Sequence, residues 1–250
     1  KRCATSAGVA GRDDGHRATR GILGAMSGAD GVDLKRLQPR LGLGKVEGGN
    51  VGEAIARAAI EENVSLICMG AQGKGLVEGM LLGSVSTEVL RQGQTDLLII
   101  RYKIMDGGND REHEKNHEKL CRDIFSKVML TTDFSAAAQD AISRAKDLAD
   151  VREILLVHVI ANEKDFNEAA TKLNLLLKEL AGPGRKITLH VLEGNPAEEI
   201  LALAKKQDVS LIMMGSQGKS WSRQIRVGST TFDVAHRAES PVMVIRTKKS

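Results

Sequence analysis

Apolar residues recur along this chain with two alternating periods. The run Lys127-Val-Met-Leu-Thr-Thr132 is short and β-rich and stops at Asp133. Ser135 to Asp150 carries Ala138, Ile142, Ala145, Leu148 and Ala149 at helical spacing, behind a serine suited to capping a helix start. Glu153 to Ile160 is almost continuously apolar, as expected of a strand covered on both faces. Asn167 to Ala181 predicts a helix that Gly182-Pro183-Gly184 stops, and Lys186 to Leu192 alternates as a strand. Pro196 opens a helix running to Gln207, Val209 to Met214 is a buried strand, Ser229 to Arg237 is helical, and Pro241 to Arg246 is the last strand. Strands alternating with helices predict a parallel sheet with right-handed crossovers and helices on both faces. Ligands of such sheets sit beyond the carboxyl ends of the strands, where the winding direction reverses.

The chain also repeats itself. Shifted by 145 residues, Val64-Ser-Leu-Ile-Cys-Met-Gly70-Ala-Gln72-Gly73-Lys74 lies over Val209-Ser-Leu-Ile-Met-Met-Gly215-Ser-Gln217-Gly218-Lys219 without a gap. Gly83-Ser84 lies over Gly228-Ser229 and Gly49-Asn50 over Gly194-Asn195; from Val46 to Lys103, 21 of 58 positions are identical. A period this long means two copies of a domain rather than a solenoid. The first copy supplies Leu41–Glu47, a helix from about Gly52 to Glu62, Val64–Met69, a helix after Gly83, and Asp96–Arg101. The counterpart of Asp133 falls before residue 1, so the first strand of this copy is expected to be absent. Residues 1–45 hold nine glycines and no run like Ile154–Ile160. Either segments are missing from this chain or the copy is degenerate, and both readings stay open. The expected division is a first domain over 1–103 with a degenerate or missing N-terminal part, a charged linker over 104–126 and a complete second domain over 127–250.

Composition narrows the function classes. The 250 residues are 42% hydrophobic, and Lys and Arg exceed Asp and Glu by 36 to 32. No apolar stretch approaches the roughly 20 residues of a membrane span, and because Arg12, Asp13 and Asp14 follow the basic, small-residue start, no secretory leader is expected in it. Six aromatic residues, one Trp, one Tyr and four Phe, are poor equipment for stacking bases, so nucleic acid is not an expected partner. Cys3, Cys68 and Cys121 are odd in number and widely spaced, which fits reduced thiols and a cytoplasmic location.

The pattern that carries chemistry is G-x2-G-x9-G-S, present as Gly70, Gly73, Gly83, Ser84 and again as Gly215, Gly218, Gly228, Ser229. Each follows a buried strand and precedes a helix. Glycines off a strand end let the backbone turn tightly and approach a ligand with no Cβ in the way. Gly-Ser at a helix start presents unpaired N–H groups and a hydroxyl alongside the positive end of the helix dipole, the makings of a phosphate cradle. Three or four charge-assisted contacts of about 1.5–3 kcal/mol each, with a buried base, would support micromolar affinity. Structural turns with a plain helix cap are the competing reading, and identical spacing in two copies weighs against it.

Asp133 after a first strand, His158-Val159 at the end of a second, Gly194-Asn195-Pro196 opening a helix, and Met214-Gly215-x2-Gly218-x9-Gly228-Ser229 together resemble a tandem universal stress protein, specifically its ATP-binding branch. The resemblance covers 127–248 well and 41–103 in part. It implies two tandem flavodoxin-like, Rossmann-like α/β units with five-stranded parallel sheets, and a pocket for ATP or AMP, with or without Mg2+. In that pocket Thr131 and Asp133 would lie by the nucleoside and Val159 would meet adenine through its backbone. Met214, Gly215, Gln217 and Gly218 would line ribose and phosphates, and Gly228, Ser229, Thr230 and Thr231 would hold the phosphates. Thr131 departs from the proline the family's ATP binders often carry. Gly70, Gln72, Gly73, Gly83, Ser84 and Ser86 would form a second, weaker half-site without an adenine wall. Asp133 can also be read as a turn residue before Ser135.

Other motifs are set aside. Gly215–Ser220 lacks the four residues a Walker A motif needs between its glycines, and Lys74 and Lys219 read first as solvated loop residues. His113-Glu114-x-x-His117 matches a zinc-helix pattern but sits in a charged stretch with no apolar face, so no metal site is expected. His158 and Cys68 read as core residues. No nucleophile, general base or catalytic residue converges on the glycine loops, so fast ATP hydrolysis is not expected. The function that emerges is stress-response regulation by nucleotide binding, with a slow ATPase or phosphotransferase, or a nucleotide-free scaffold, as alternatives. The apolar last strands, Leu97–Ile100 and Val242–Ile245, are expected to meet as an intramolecular pseudo-dimer. Further association into a homodimer is a second expectation, and the regulated protein partner is not legible.

Overall fold

In a computed structural model of the chain, the described residues are 22–25, 38–40, 51–71, 82–101, 123–148, 151–218 and 226–247. They build strands β1 (Ile22–Ala25), β2 (Gln38–Arg40), β3 (Leu66–Gly70), β4 (Asp96–Ile100), β5 (Lys127–Thr131), β6 (Glu153–Ile160), β7 (Lys186–Glu193), β8 (Leu211–Gly215) and β9 (Val242–Ile245). The helices are α1 (Val51–Glu61), α2 (Ser84–Gln92), α3 (Ala136–Lys146), α4 (Phe166–Leu180), α5 (Pro196–Lys206) and α6 (Ser229–Arg237). All the strands join one nine-stranded sheet in the order β2-β1-β3-β4-β9-β8-β5-β6-β7. The architecture is α/β, with the second copy a five-stranded parallel sheet in the order β9-β8-β5-β6-β7.

Local chemistry explains the boundaries. Helix α5 begins where the Asn195 side chain accepts hydrogen bonds from the Ala197 and Glu198 amides, with Pro196 in the first turn. Glu198 and Glu199 in its first turn and Lys205 and Lys206 in its last complement the helix dipole. Ser135 caps α3 by accepting from the Ala138 amide. That helix ends at Lys146 rather than Asp150, although Leu148 beyond it is still 1% exposed. Residues 209 and 210 lie outside β8, because their amides bond to Ala204 and Lys127 ahead of the regular ladder.

The sheet's two faces build two apolar layers. Alternate strand residues Ile67, Leu97, Ile99, Met129, Leu155, Val157, Ile212, Met214, Val242 and Val244 pack with α1, α2, α5 and α6 residues such as Ala59, Leu90, Ile200 and Val234. Their neighbours Leu66, Leu98, Val128, Leu130, Ile154, Leu156, Met213 and Ile245 face Ile142, Ala145, Leu173 and Leu180 of α3 and α4. In the second copy the winding reverses between β5 and β8, since α3 and α6 leave these neighbouring strands toward opposite faces.

The two last strands pair antiparallel, with Leu97 opposite Val244, Leu98 opposite Met243 and Ile99 opposite Val242. All six side chains are at most 2% exposed, and each contributes roughly 1.5–3 kcal/mol by leaving water. This is the expected meeting of the two copies. An arginine follows each of these strands, and each reaches into the other copy. Arg101 Nη2 donates to the Ala235 and His236 carbonyls at the end of α6; Arg246 Nη2 donates to the Leu90 carbonyl at the end of α2. The 145-residue shift relates Arg101 to Arg246 and Leu90 to Ala235. Burial lowers both guanidinium pKa values to about 10, with the Asp96 charge opposing that shift at Arg246. Both therefore remain protonated donors at neutral pH.

The first copy departs from the sequence reading. Its first strand is not simply absent, because β1 lies along β3 as β5 lies along β8, but antiparallel: Ile22 pairs with Cys68 and Gly24 with Leu66. A five-stranded parallel first copy is thus not formed by the described residues. Leu41–Glu47 falls outside them, as does most of the 104–126 linker with His113, Glu114, His117 and Cys121. Among the described residues no helix is long and apolar enough to cross a membrane.

A carboxylate is buried at the junction beside Arg246. Asp96, 6% exposed, accepts from the Arg246 amide at 2.8 Å and from Arg144 Nη2 at 2.8 Å. Removing the carboxylate strands two donors, so Asp96→Ala is expected to lower stability by about 3 kcal/mol in urea denaturation. An unchanged midpoint would show that the junction does not depend on it.

Candidate functional site

The second glycine loop leaves β8 and returns to α6 through a clamped frame. The Ser216 amide donates to Ile245 O at 2.8 Å, the Gly228 amide to Ser216 O at 2.8 Å, and Thr231 Oγ1 to Gly215 O at 2.8 Å. The first copy reproduces these bonds: Ala71 to Ile100 O at 2.8 Å, Gly83 to Ala71 O at 2.7 Å, and Ser86 Oγ to Gly70 O at 2.8 Å. Thr231 and Ser86 are each 4% exposed. Their hydroxyl protons fasten a helix to a strand end, so neither is a free phosphate donor.

The glycines have different duties. A Cβ on Gly215 would lie 2.6 Å from the carbonyl carbon and oxygen of Ala137, so the first turn of α3 rests directly on this backbone. A Cβ on Gly218 would lie 2.7 Å from Asp133 Oδ2. A Cβ on Gly228 would be less tight, meeting the Gly218 nitrogen at 3.6 Å and Gln217 Cα at 3.7 Å. Asp133, Gly218 and Gly228 are therefore in direct succession across the switch point, delivered by three separate segments.

Asp133 is held from its own side as well. Its Oδ1 accepts from the Ser135 amide at 3.0 Å, and Ser135 Oγ reaches Gln217 O at 3.4 Å, tying the β5 turn to the glycine loop. Phe134 between them takes a left-handed backbone at φ 62°, with its amide on Thr132 Oγ1 at 3.0 Å. The Thr132 carbonyl meets His158 Nδ1 at 2.7 Å, and the His158 ring lies 4.4 Å from the Phe134 ring. His158 is thus a braced, half-buried histidine rather than a fully buried core residue, and it stands beside Val159, which is half-buried in the same apolar layer as Met214. Thr131 is 7% exposed in β5. Ser135, Thr132 and Phe134 were not singled out for the site by sequence reasoning. Only the positions of Thr132 and Ser135 on either side of Asp133 could have marked them.

Helix α6 begins at Gly228 with no side-chain cap. The amides of Ser229, Thr230 and Thr231 belong to its first turn and have no intrahelical acceptor. Ser229 is exposed and Thr230 half-exposed, so their hydroxyls stand at the same helix end. Helix α2 likewise starts at Gly83 with no side-chain cap. In the first copy, however, β1 runs against β3, so its carboxyl end points away from Gly70, and among the described residues no counterpart of Asp133 is delivered there. Gln72 and Gly73 lie outside the described residues, as do Lys74, Lys219 and Ser220. Among the described residues no group of three His, Cys, Asp or Glu side chains could hold a metal ion. A cleft of about 810 Å3 lies at the opposite end of the second copy, lined by Arg101, Leu201, Ile212, Arg237 and Pro241, away from the glycine loop.

Comparison with known proteins follows this geometry. The universal stress protein family model matches residues 42–101 and 125–246. The chain belongs to the universal stress protein family. A universal stress protein of Methanocaldococcus jannaschii is 30% identical over 159 residues, covering 51% of this chain and 98% of that protein. One from Mycolicibacterium smegmatis is 29% identical over 213 residues, covering 78% of this chain and 67% of that protein. A crystal structure of a universal stress protein from Archaeoglobus fulgidus superposes with a TM-score of 0.57 at 26% identity, over 78% of this chain and 64% of that one. The likeness thus reaches into both copies.

The steric difference between the glycines is testable. Gly215→Ala is expected to cost about 1–3 kcal/mol through overpacking against α3, whereas Gly228→Ala should cost under about 1 kcal/mol as a change of helix cap. Thermal unfolding of the two variants side by side reads the contrast; equal losses would contradict the packing role of Gly215.

Proposed function

We propose that the second copy binds one adenine nucleotide, ATP or AMP, in the crevice between β5 and β8, and that this universal stress protein acts through that ligand as a regulatory binding protein. The observation that carries this reading is the contact series Asp133–Gly218–Gly228 at the uncapped start of α6. It joins a carboxylate able to accept ribose hydroxyls to backbone amides suited to anionic oxygens. Glycine at 218 lets the Asp133 carboxylate lie against the loop backbone, which brings that carboxylate and the amides of the helix start to one place. Ser229, Thr230 and the first-turn amides of α6 would hold the phosphates. Gly215, Gln217 and Gly218 would line the ribose side, and Val159 and Met214 would present the apolar wall to the base. Thr131 and Thr231 would act from behind, as buried supports of β5 and α6. Mg2+, where present, would arrive with the triphosphate rather than in a resident protein site.

The first copy supports a weaker role. It retains the Gly70, Gly83, Ser84 and Ser86 frame, but β1 is antiparallel and the described residues supply no strand-end carboxylate. Binding is therefore expected at one nucleotide per chain.

Titration calorimetry with ATP, AMP and GTP decides the matter. The expected result is micromolar affinity for an adenine nucleotide at a stoichiometry near one. Asp133→Ala should weaken binding at least about tenfold by removing charge-assisted contacts, and Gly218→Val should abolish it. Negligible heats for all three nucleotides would end this reading.

A further inference from the structure

The returning arm of the second glycine loop is not anchored within its own domain alone. Arg226, two residues before the Gly228 cap, donates from Nη1 to the Gln92 carbonyl at 2.6 Å, the last residue of α2 in the first copy. Its own carbonyl accepts from Arg246 Nη1 at 2.8 Å, and Arg246 also reaches the Leu90 carbonyl in the same turn of α2. Helix carboxyl ends present outward carbonyls and a partial negative charge, which suit arginine donors. The same turn of α2 thus receives both arginines, one of them from the loop arm itself.

The arrangement is one-sided. Arg246 has its counterpart in Arg101, which binds the end of α6 in the mirrored way. Arg226 has none, because the 145-residue shift places uncharged Leu81 at its position. The loop of the complete copy is fastened to a helix of the incomplete copy, and no equivalent arginine is available for the reverse. Helix α3, which carries the Asp133 turn at its start, is held from the same side, since Arg144 in its last turn binds Asp96 of the first copy.

We propose that the first copy serves the second as a positioning partner, with Arg226 and Arg246 as positioning residues that hold the Arg226–Gly228 arm, and hence the start of α6, in the geometry that receives an anionic ligand. The inference rests on the nucleotide reading for the identity of that ligand, but the tether itself is independent of it. It gives the incomplete copy a function that needs no ligand of its own.

Amide hydrogen exchange on the full chain, comparing wild type with Arg226→Met and Arg226→Lys, tests it. Arg226 is exposed, so neither substitution disturbs the core. In Arg226→Met the hydrogen-bonded amides of Gly228 and Phe232, which donate to Ser216 O and Gly228 O, should exchange about three- to tenfold faster, the scale of one lost hydrogen bond. Those of β5, β6 and β7 should be unchanged, and Arg226→Lys should restore most of the protection. Unchanged exchange at Gly228 and Phe232, or an equal rise throughout the sheet, overturns the tether. In parallel calorimetry, ATP affinity should fall by a similar factor in Arg226→Met and recover in Arg226→Lys; equal affinities in all three proteins overturn the positioning role. Should wild type bind no nucleotide while exchange responds as expected, the tether stands and the nucleotide reading alone is lost.

Discussion

The antiparallel ladder between β4 and β9 is the constraint on which the molecule is organised. Each of these strands would otherwise be an exposed apolar edge, and such edges invite pairing with other chains. Pairing them with each other merges two sheets into one and relates the copies by an approximate twofold perpendicular to it. That symmetry places α1 and α2 on the same face as α5 and α6, so a single apolar layer runs beneath all four. It also puts each terminal arginine, Arg101 or Arg246, within reach of the other copy's last helical turn. Hydrophobic burial supplies the energy, and the guanidinium groups supply direction, since a donor fork satisfies carbonyls in only one relative placement of the copies.

Within the second copy the same logic of strand direction builds the site. Parallel β5 and β8 end at the same edge, and their connections depart to opposite faces, which sets the proposed crevice between the turn carrying Asp133 and the glycine loop. Crevice walls are close because Gly215 lets α3 sit on the strand end and Gly218 lets Asp133 lie against the loop backbone. The first copy has the glycine frame with the same hydrogen bonds but a reversed neighbouring strand. Comparing the two separates what the glycine pattern does by itself, which is to clamp a strand to a helix start, from what a binding crevice requires besides.

The first copy therefore gains its role through contact rather than through chemistry of its own. Its helix α2 offers carbonyls to Arg226 and Arg246, and its Asp96 holds Arg144 at the end of α3. Both walls of the crevice are in this way braced from across the junction.

Much of this was legible in the amino-acid order, because short-range rules govern it. Ser135 and Asn195 caps, the Gly182-Pro183-Gly184 stop, the apolar run of β6 and the 145-residue repeat each determine local conformation or duplication directly. The repeat also marked both glycine frames, and the apolar last strands announced their mutual pairing. What only the tertiary structure decided is direction and reach. A run such as Ile22–Ala25 carries no information about whether it will lie parallel or antiparallel to Leu66–Gly70, because strand pairing depends on which partners lie alongside it in space. The buried hydroxyls of Ser86 and Thr231, the turn of Phe134 against His158, and the arginines that cross between copies depend on residues up to 156 positions apart. Such contacts are set by packing in three dimensions, and no local periodicity encodes them.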